Sequence, residues 1–195
     1  ERNHSVELVP AVRGLAERVG VGLDDLEAVF VARGPGAFSA LRVGVSTAKA
    51  LADARGIPLV SVGTLDVEAA PYLGLGLPVL ALIGAGRDRV YSGRYDLGAE
   101  PSEAQIDVLT YGELPETIAG EGWLLCGEGV ETAVEKLGEG FSCHGRIVAT
   151  PPPTRRPSVL ARLAYRRWSD GDTDDPAGLQ PIYLRSSQVD ASRRR

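Results

Sequence analysis

Residues 33–52 read RGPGAFSALRVGVSTAKALA, and this stretch dictates the fold around it. The Gly-Pro-Gly corner at residues 34–36 ends the apolar run 26–32, whose β-branched and aromatic side chains predict a buried strand. Ser39 is predicted to cap the following helix, which ends near Gly56. A further apolar run, 59–62, completes a strand-helix-strand order that indicates a parallel crossover unit.

The helix within this stretch is apolar over more than half of its wheel. Its polar side chains occupy one narrow face: Arg42, Ser46, Lys49 and Asp53. Its main apolar stripe contains Leu41, Val45, Ala48 and Ala52. Because a surface helix needs an apolar stripe of only about 100°, a second surface must cover this one. That surface belongs either to the same domain or to a partner, and the small residues Ala40, Gly44 and Ala48 would let a partner helix approach closely.

The Gly-Pro-Gly corner also invites comparison with a phosphate-binding loop, since helix N-termini bind anions. The sequence lacks GxxxxGK[ST], and Pro35 has no backbone donor to offer. Lys49 lies three turns from the corner. A structural turn is therefore the favoured interpretation.

The remaining segments alternate between helical and extended patterns. A first helix is predicted over 5–19, on the spacing of Leu8, Val12, Leu15 and Val19, with Pro10 expected to bend it. Further helices are predicted over 64–72, 130–137 and 158–169. Strands are predicted over 79–85, 89–95, 105–109, 123–126 and 146–149, with a last extended stretch over 179–185. The first two of these strands read as a hairpin.

A Gly-rich passage before Pro78 is the predicted lobe boundary. We therefore expect an N-terminal lobe over 1–77, a C-terminal lobe over 78–185 and a basic tail over 186–195. The chain opens on Glu1 and contains no Met, which favours an N-terminal piece that precedes this numbering.

Candidate catalytic residues are few. His4 and His144 have no metal-ligand spacing around them, and Cys126 and Cys143 lack an obvious His partner. Glu128 follows a strand end, where active-site groups often lie, although a loop turn is favoured there. The two cysteines are expected to be reduced in a cytoplasmic protein, and the net charge of -5 argues against a nucleic-acid surface over the whole molecule.

Several motifs together resemble one family. The segment GPGAFSALRVGVSTAKALA resembles GPGSFTGLRxGxxxAKGLA of the bacterial TsaB (YeaZ) family. HSVELVPAV, AGRDRVYSGRYD, LLCGEGVE and LQPIYLR resemble further family segments in the same order. The resemblance covers essentially the whole chain, except that the family's initial strand pair, with its ILAIDTS-like sequence, has no counterpart here.

The resemblance implies an α/β fold of the two-lobed actin-like, sugar-kinase and Hsp70-like (ASKHA) class with mixed sheets. It implies a role in forming N6-threonylcarbamoyladenosine at position 37 of tRNAs that read codons starting with A. In that pathway a TsaD paralogue transfers the threonylcarbamoyl group. TsaB is its non-catalytic partner, and a TsaE ATPase joins the pair.

A paralogue comparison supports a scaffold rather than an enzyme. TsaD proteins hold a metal on an NHxxxH segment, and the two His positions correspond here to Thr64 and Glu68. A hydroxyl and one carboxylate replace two imidazoles poorly. The resemblance therefore implies no catalytic, cofactor or metal residues in this chain.

The predicted partner interface consists of the first helix and the central helix. Its residues are Leu8, Val12, Leu15, Ala40, Leu41, Gly44, Val45 and Ala48. In isolation the same apolar surface could form a homodimer. We expect tRNA contact through the complex, with direct contact by the basic tail left open.

The sequence leaves two alternative functions open. One is a metal-dependent peptidase or transferase of the same fold, which predicts bound metal. The other is an ATP-binding, kinase-like enzyme, which predicts nucleotide binding by this chain alone.

Overall fold

The computed structural model describes residues 4–119, 122–138, 141, 145–148 and 154–184. The helices are α1 (His4–Val19), α2 (Phe38–Arg55), α3 (Thr64–Ala69), α4 (Leu114–Thr117), α5 (Gly129–Leu137) and α6 (Pro157–Ser169). The strands are β1 (Val29–Ala32), β2 (Leu59–Val62), β3 (Val79–Gly84), β4 (Arg89–Tyr95), β5 (Gln105–Thr110), β6 (Trp123–Cys126) and β7 (Gly145–Ile147).

Strands β1 and β2 form a parallel pair connected through α2, as the sequence predicts. Successive side chains of β2 point to opposite faces of this pair. Leu59 packs with the α2 residues Val45 and Ala52 on one face, whereas Val60 packs with Val159 of α6 on the other. The sheet therefore lies between two helices, and both faces of β2 are buried.

The second sheet has five strands in the order β5-β4-β3-β6-β7. Strands β3 and β4 form the predicted antiparallel hairpin, while β6 lies parallel to β3 and β7 lies parallel to β6. The sheet is therefore mixed. Leu65 of α3 belongs to the apolar cluster that contains Ala81 and Ile83, and Ala133 of α5 belongs to the cluster that contains Leu80 and Leu82.

Element boundaries differ from the predictions at several points. Helix α1 begins at His4 and continues through Pro10. The cap of α2 is Ala37, without a side-chain hydrogen bond, so Ser39 lies inside the helix and is not its cap. Strand β1 begins at Val29, where its pairing with Leu59 of β2 starts, and not at Leu26.

The C-terminal segment returns to the first sheet. Val159 and Ala164 of α6 pack on Val60 and Val62, and Leu179 packs on α2. Residues 157–184 therefore pack with the two-stranded sheet, which corrects their predicted place in the C-terminal lobe. The boundary near residue 77 stays a prediction.

Some predicted features lie outside the described residues: Cys143, His144, the Pro-rich segment 151–153 and the tail 186–195. Within the part of the chain that is described, no helix is long and apolar enough to cross a membrane.

Candidate partner interface and neighbouring cleft

The corner before α2 fixes where the helix starts. Gly34 has a φ of +106°, a conformation that side-chain-bearing residues rarely adopt. A Cβ atom at this position would lie 2.9 Å from Leu41 Cδ1 and 3.2 Å from the carbonyl oxygen of Ile182. The corner is therefore packed against its own helix and the C-terminal segment, in agreement with a structural turn.

The inner face of α2 is covered by the chain itself. Val45 is 2% exposed and Ala48 is 7% exposed, and both pack with Leu59 and Leu179. These two side chains are not available to a partner, which corrects their assignment to the predicted interface. The main apolar stripe of α2 therefore faces the interior of this chain.

The flank of α2 beside this stripe is partly open. Ala40, Leu41 and Gly44 are half-buried, and a Cβ atom added at Gly44 would meet no atom within 4 Å. The fold of this chain therefore gives no steric reason for glycine at position 44.

Helix α1 packs against α2 and leaves large apolar side chains in solvent. Leu8 and Val12 are half-buried, whereas Leu15 is 55% exposed. Val6, Val9 and Val19 are exposed as well. The sequence analysis did not assign these valines to the interface, although Val19 follows the spacing of Leu8, Val12 and Leu15. Leu8, Val12, Leu15 and Val19 recur at one helical spacing, and we call them, together with Ala40, Leu41 and Gly44 of α2, the α1-α2 surface.

A cleft of about 720 Å³ lies between the start of α2 and the β3–β4 turn. At its α2 side the guanidinium carbon of Arg42 lies 4.1 Å from the centre of the Phe38 ring, within cation–π range. Arg42 Nε also donates to the Tyr183 hydroxyl at 3.1 Å. Its opposite wall includes residues 84–86 and Glu128.

Glu68 is 2% exposed and lies beside Arg155, which lines the cleft. The Thr154 hydroxyl donates to Glu68 Oε1 at 2.7 Å, and Arg155 Nε lies 3.9 Å from the same oxygen. Arg155 also pairs with Glu128. Burial raises the pKa of Glu68, while the Thr154 hydrogen bond and the Arg155 charge oppose the shift. The sequence analysis considered Glu68 and Glu128 separately, and Arg155 brings them together.

Thr64 and Cys126, which the sequence analysis also considered, are both buried. The Thr64 hydroxyl has no hydrogen-bond partner among the described residues. Burial raises the pKa of the Cys126 thiol, which favours the unreactive protonated form. Across the described residues, no group of three or more His, Cys, Asp or Glu side chains could hold a metal ion. The side chain of His4 and the whole of His144 lie outside the part of the chain that the structure describes.

The mixed sheet with helices on both sides makes this an α/β protein and agrees with the ASKHA class that the sequence resemblance implies. The family described as TsaD, tRNA N6-adenosine threonylcarbamoyltransferase, matches residues 1–111. The chain belongs to this family, and within it to the TsaB (YeaZ) group.

Individual relatives place it in that group. The tRNA threonylcarbamoyladenosine biosynthesis protein TsaB of Bacillus subtilis is 28% identical, over 98% of this chain and 83% of that protein. A tRNA N6-adenosine threonylcarbamoyltransferase of Anaeromyxobacter dehalogenans is 40% identical, but over 51% of this chain and 37% of that protein. A crystal structure from Pseudomonas aeruginosa, described as similar to peptidase YEAZ, superposes with a TM-score of 0.70 at 28% identity. It covers 94% of this chain and 85% of its own.

Proposed function

We propose that this chain is a non-catalytic subunit in the synthesis of N6-threonylcarbamoyladenosine at position 37 of tRNAs that read codons starting with A. It would bind a TsaD-type transferase and support its activity. The α1-α2 surface carries this proposal, because it exposes large apolar side chains next to a flank of small residues on α2. Membership in the family points to this pathway, since two relatives that align with nearly the whole chain are named tRNA threonylcarbamoyladenosine biosynthesis proteins.

The contact would be helix against helix. Leu8, Val12 and Leu15 of α1 would pack on the partner together with Ala40, Leu41 and Gly44 of α2. Small side chains on α2 allow the close approach of a second helix. Large aliphatic side chains on α1 supply the apolar area that stabilises such an interface.

Other partners follow from the same proposal. A TsaE-type ATPase would join the pair, and tRNA would be reached through the complex. In the absence of a TsaD-type protein, two copies of this chain could cover the α1-α2 surface as a homodimer. We place the protein in the cytoplasm, together with the transferase that it would support.

The decisive experiment is a binding measurement with the TsaD-type transferase of the same organism. A Gly44→Leu substitution places a large side chain on the open flank of α2, where this chain offers room for it. We expect the affinity to fall by about 30-fold or more, as for a central interface position. Ser46→Leu, on the exposed polar side of α2, is the matched control and should bind normally.

Circular dichroism should show native spectra for both variants. A native Gly44→Leu protein that binds with unchanged affinity would show that the interface lies elsewhere. A transferase assay on unmodified tRNA, with and without this chain, tests the pathway separately. Modification at full rate without the chain would remove the proposed supporting role.

Nucleotide binding in the cleft is the second candidate. The stacked Phe38, Arg42 and Tyr183 side chains offer aromatic and cationic contacts of the kind that a nucleotide uses. Calorimetry with ATP on this chain alone tests the candidate, and Arg42→Ala should weaken any binding found. Tight binding without partners would favour a kinase-like activity over a scaffold.

A further inference from the structure

A second cavity, of about 440 Å³, lies at the carboxyl ends of β1 and β2. Arg33 follows β1 directly, and residues 61–63 end β2. Helix α6 and the segment at residues 100–102 form the other walls. The carboxyl ends of parallel strands are a common place for ligands in α/β proteins. Because α6 and α2 pack on opposite faces of β2, this cavity is separate from the α1-α2 surface.

Two of the three arginines that line the cavity are paired with carboxylates. Arg167 donates to both carboxylate oxygens of Asp172, at 2.6 and 2.9 Å. Its Nη1 also lies 3.5 Å from Asp174 Oδ2. Arg166 Nη1 lies 3.7 Å from a carboxylate oxygen of Glu100, at the exposed rim. These charges are therefore balanced within the walls.

One oxygen of the buried carboxylate in the wall is hydrogen-bonded. Asp66 Oδ1 accepts a hydrogen bond from the Tyr95 hydroxyl at 2.8 Å and a second from the Ser102 amide at 2.9 Å. These bonds hold the carboxylate toward the β4 side of the cavity. Asp66 is therefore engaged without any contribution from Arg33.

Arg33 differs from the other two arginines. Its Nε is buried and has no hydrogen-bond partner among the described residues, and no ion pair of Arg33 is found there. Its backbone is fixed, because the Arg33 amide donates to Val62 O at 3.0 Å and its carbonyl accepts from Ile182 N at 2.7 Å. Buried polar atoms are normally paired, so this Nε–H calls for a hydrogen-bond acceptor, and a charged guanidinium binds an anionic acceptor most strongly.

We propose that this cavity binds a small organic anion through the guanidinium of Arg33. The acid group, a carboxylate or a phosphate, would bind the fork of Arg33, while Val62, Pro101 and Leu163 would contact the organic part. The carboxylates at the rim repel highly charged molecules, so the ligand carries a low negative charge. This site goes beyond the proposed scaffold role and does not depend on it.

The experiment titrates two probes, butyrate and inorganic phosphate, into the 15N-labelled chain and follows the arginine Nε–H resonances. The Arg33 resonance is assigned by its absence from the spectrum of Arg33→Gln. We expect it to shift in a saturable way with at least one probe. Butyrate alone indicates a carboxylate ligand and phosphate alone a phosphorylated one, and either result supports the site.

Affinities for the active probe are then compared by calorimetry. Arg33→Gln should weaken binding by about tenfold or more, because a charge-assisted bidentate contact is lost. Arg33→Lys should retain part of the affinity, since the charge remains without the planar fork. Arg13→Gln, which removes an exposed arginine of α1, is the matched control and should bind normally.

Three results would overturn the proposal. One is an unshifted Arg33 resonance with both probes up to about 20 mM, which excludes even weak binding. Another is equal affinity in Arg33→Gln and the unsubstituted chain. The third is an equal loss in Arg13→Gln, which would mean general charge attraction. Should Arg33→Gln fail to fold, Arg33→Lys serves both for the assignment and for the affinity comparison.

Discussion

Two glycines of this molecule differ in how closely the surrounding chain approaches them. Gly127, in the turn after β6, has a φ of +96°, and a Cβ atom there would lie 2.4 Å from the carbonyl oxygen of Leu82. Gly44, on the open flank of α2, has a helical backbone, and a Cβ atom would meet nothing within 4 Å. The fold explains the first glycine and gives no steric reason for the second. A residue that costs helix stability without helping the fold is best explained by a contact outside the chain.

The largest expected effect is on the glycine that the fold requires. Gly127→Ala should lower the free energy of unfolding by about 3 kcal/mol or more, because the backbone is strained and the methyl group clashes with β3. Urea denaturation measures the change. Gly112→Ala, where a Cβ atom would be free of contacts, is the control and should change stability little. Equal stability of the two variants would contradict this account of Gly127.

The next effect is on partner binding. Leu15→Glu places a charge within the exposed apolar stripe of α1, so affinity for the TsaD-type transferase should fall by about 30-fold. The stability of the isolated chain should stay the same, since Leu15 is already largely in solvent. Arg13→Glu, a charge change at another exposed position of the same helix, is the control. Binding losses of the same size in both would point to electrostatics rather than apolar contact.

Gly44→Ala should raise the stability of the chain and lower its affinity for the transferase. The free energy of unfolding should rise by roughly 0.5–1 kcal/mol, the usual gain of Ala over Gly inside a helix. Affinity for the transferase should fall modestly, because the closest approach of the partner helix is blocked. A gain in stability with unchanged affinity would mean that Gly44 lies outside the contact.

The smallest effect concerns the cleft. Burial raises the pKa of Glu68 in the folded chain above its ordinary value of 4.5, so the folded state binds that proton more tightly than the unfolded state. Stability therefore falls as the pH rises from the ordinary range through the raised pKa, and Glu68 costs stability above it. Glu68→Gln should be more stable than the unsubstituted chain at pH 8, by about 1 kcal/mol or less, because a neutral amide is easier to bury.

The test compares urea denaturation of the two chains at pH 4.5 and pH 8. The advantage of Glu68→Gln should grow with pH, since ionisation of Glu68 causes the cost. A variant that is less stable at both pH values would show that the Arg155 contact outweighs the burial of the charge.

Local patterns predicted most of the secondary structure. The apolar runs at β2, β3 and β6 and the helical spacing of α1, α2 and α6 are confirmed within a few residues. The predictions of helix ends and bends were wrong where two local sequence signals favour different structures. Ser39 is a good capping residue by type, but the corner before it places Ala37 at the cap, and Pro10 lies inside α1 without ending it.

The partner interface stays a prediction, and burial removes two of its predicted residues, Val45 and Ala48. A helical wheel shows that α2 has too much apolar surface for one neighbour, but it does not show which side the chain itself covers. Val45 and Ala48 are buried by Leu59 and Leu179, which are distant in sequence. The place of α6 on the first sheet was missed for the same reason, because it depends on contacts between distant segments.

The sequence by itself determined the element order, the parallel crossover and, through its motifs, the family. These follow from periodicity, turn residues and motif spacing, which are local properties of the chain. The tertiary structure alone decided which face of α2 is free and how Arg155 joins Glu68 to Glu128. It also decided that Arg33 Nε is buried with no hydrogen-bond partner in the described part of the chain. Each of these depends on packing between distant segments, and burial, which sets the energy of a charge or an apolar side chain, is a property of the folded molecule.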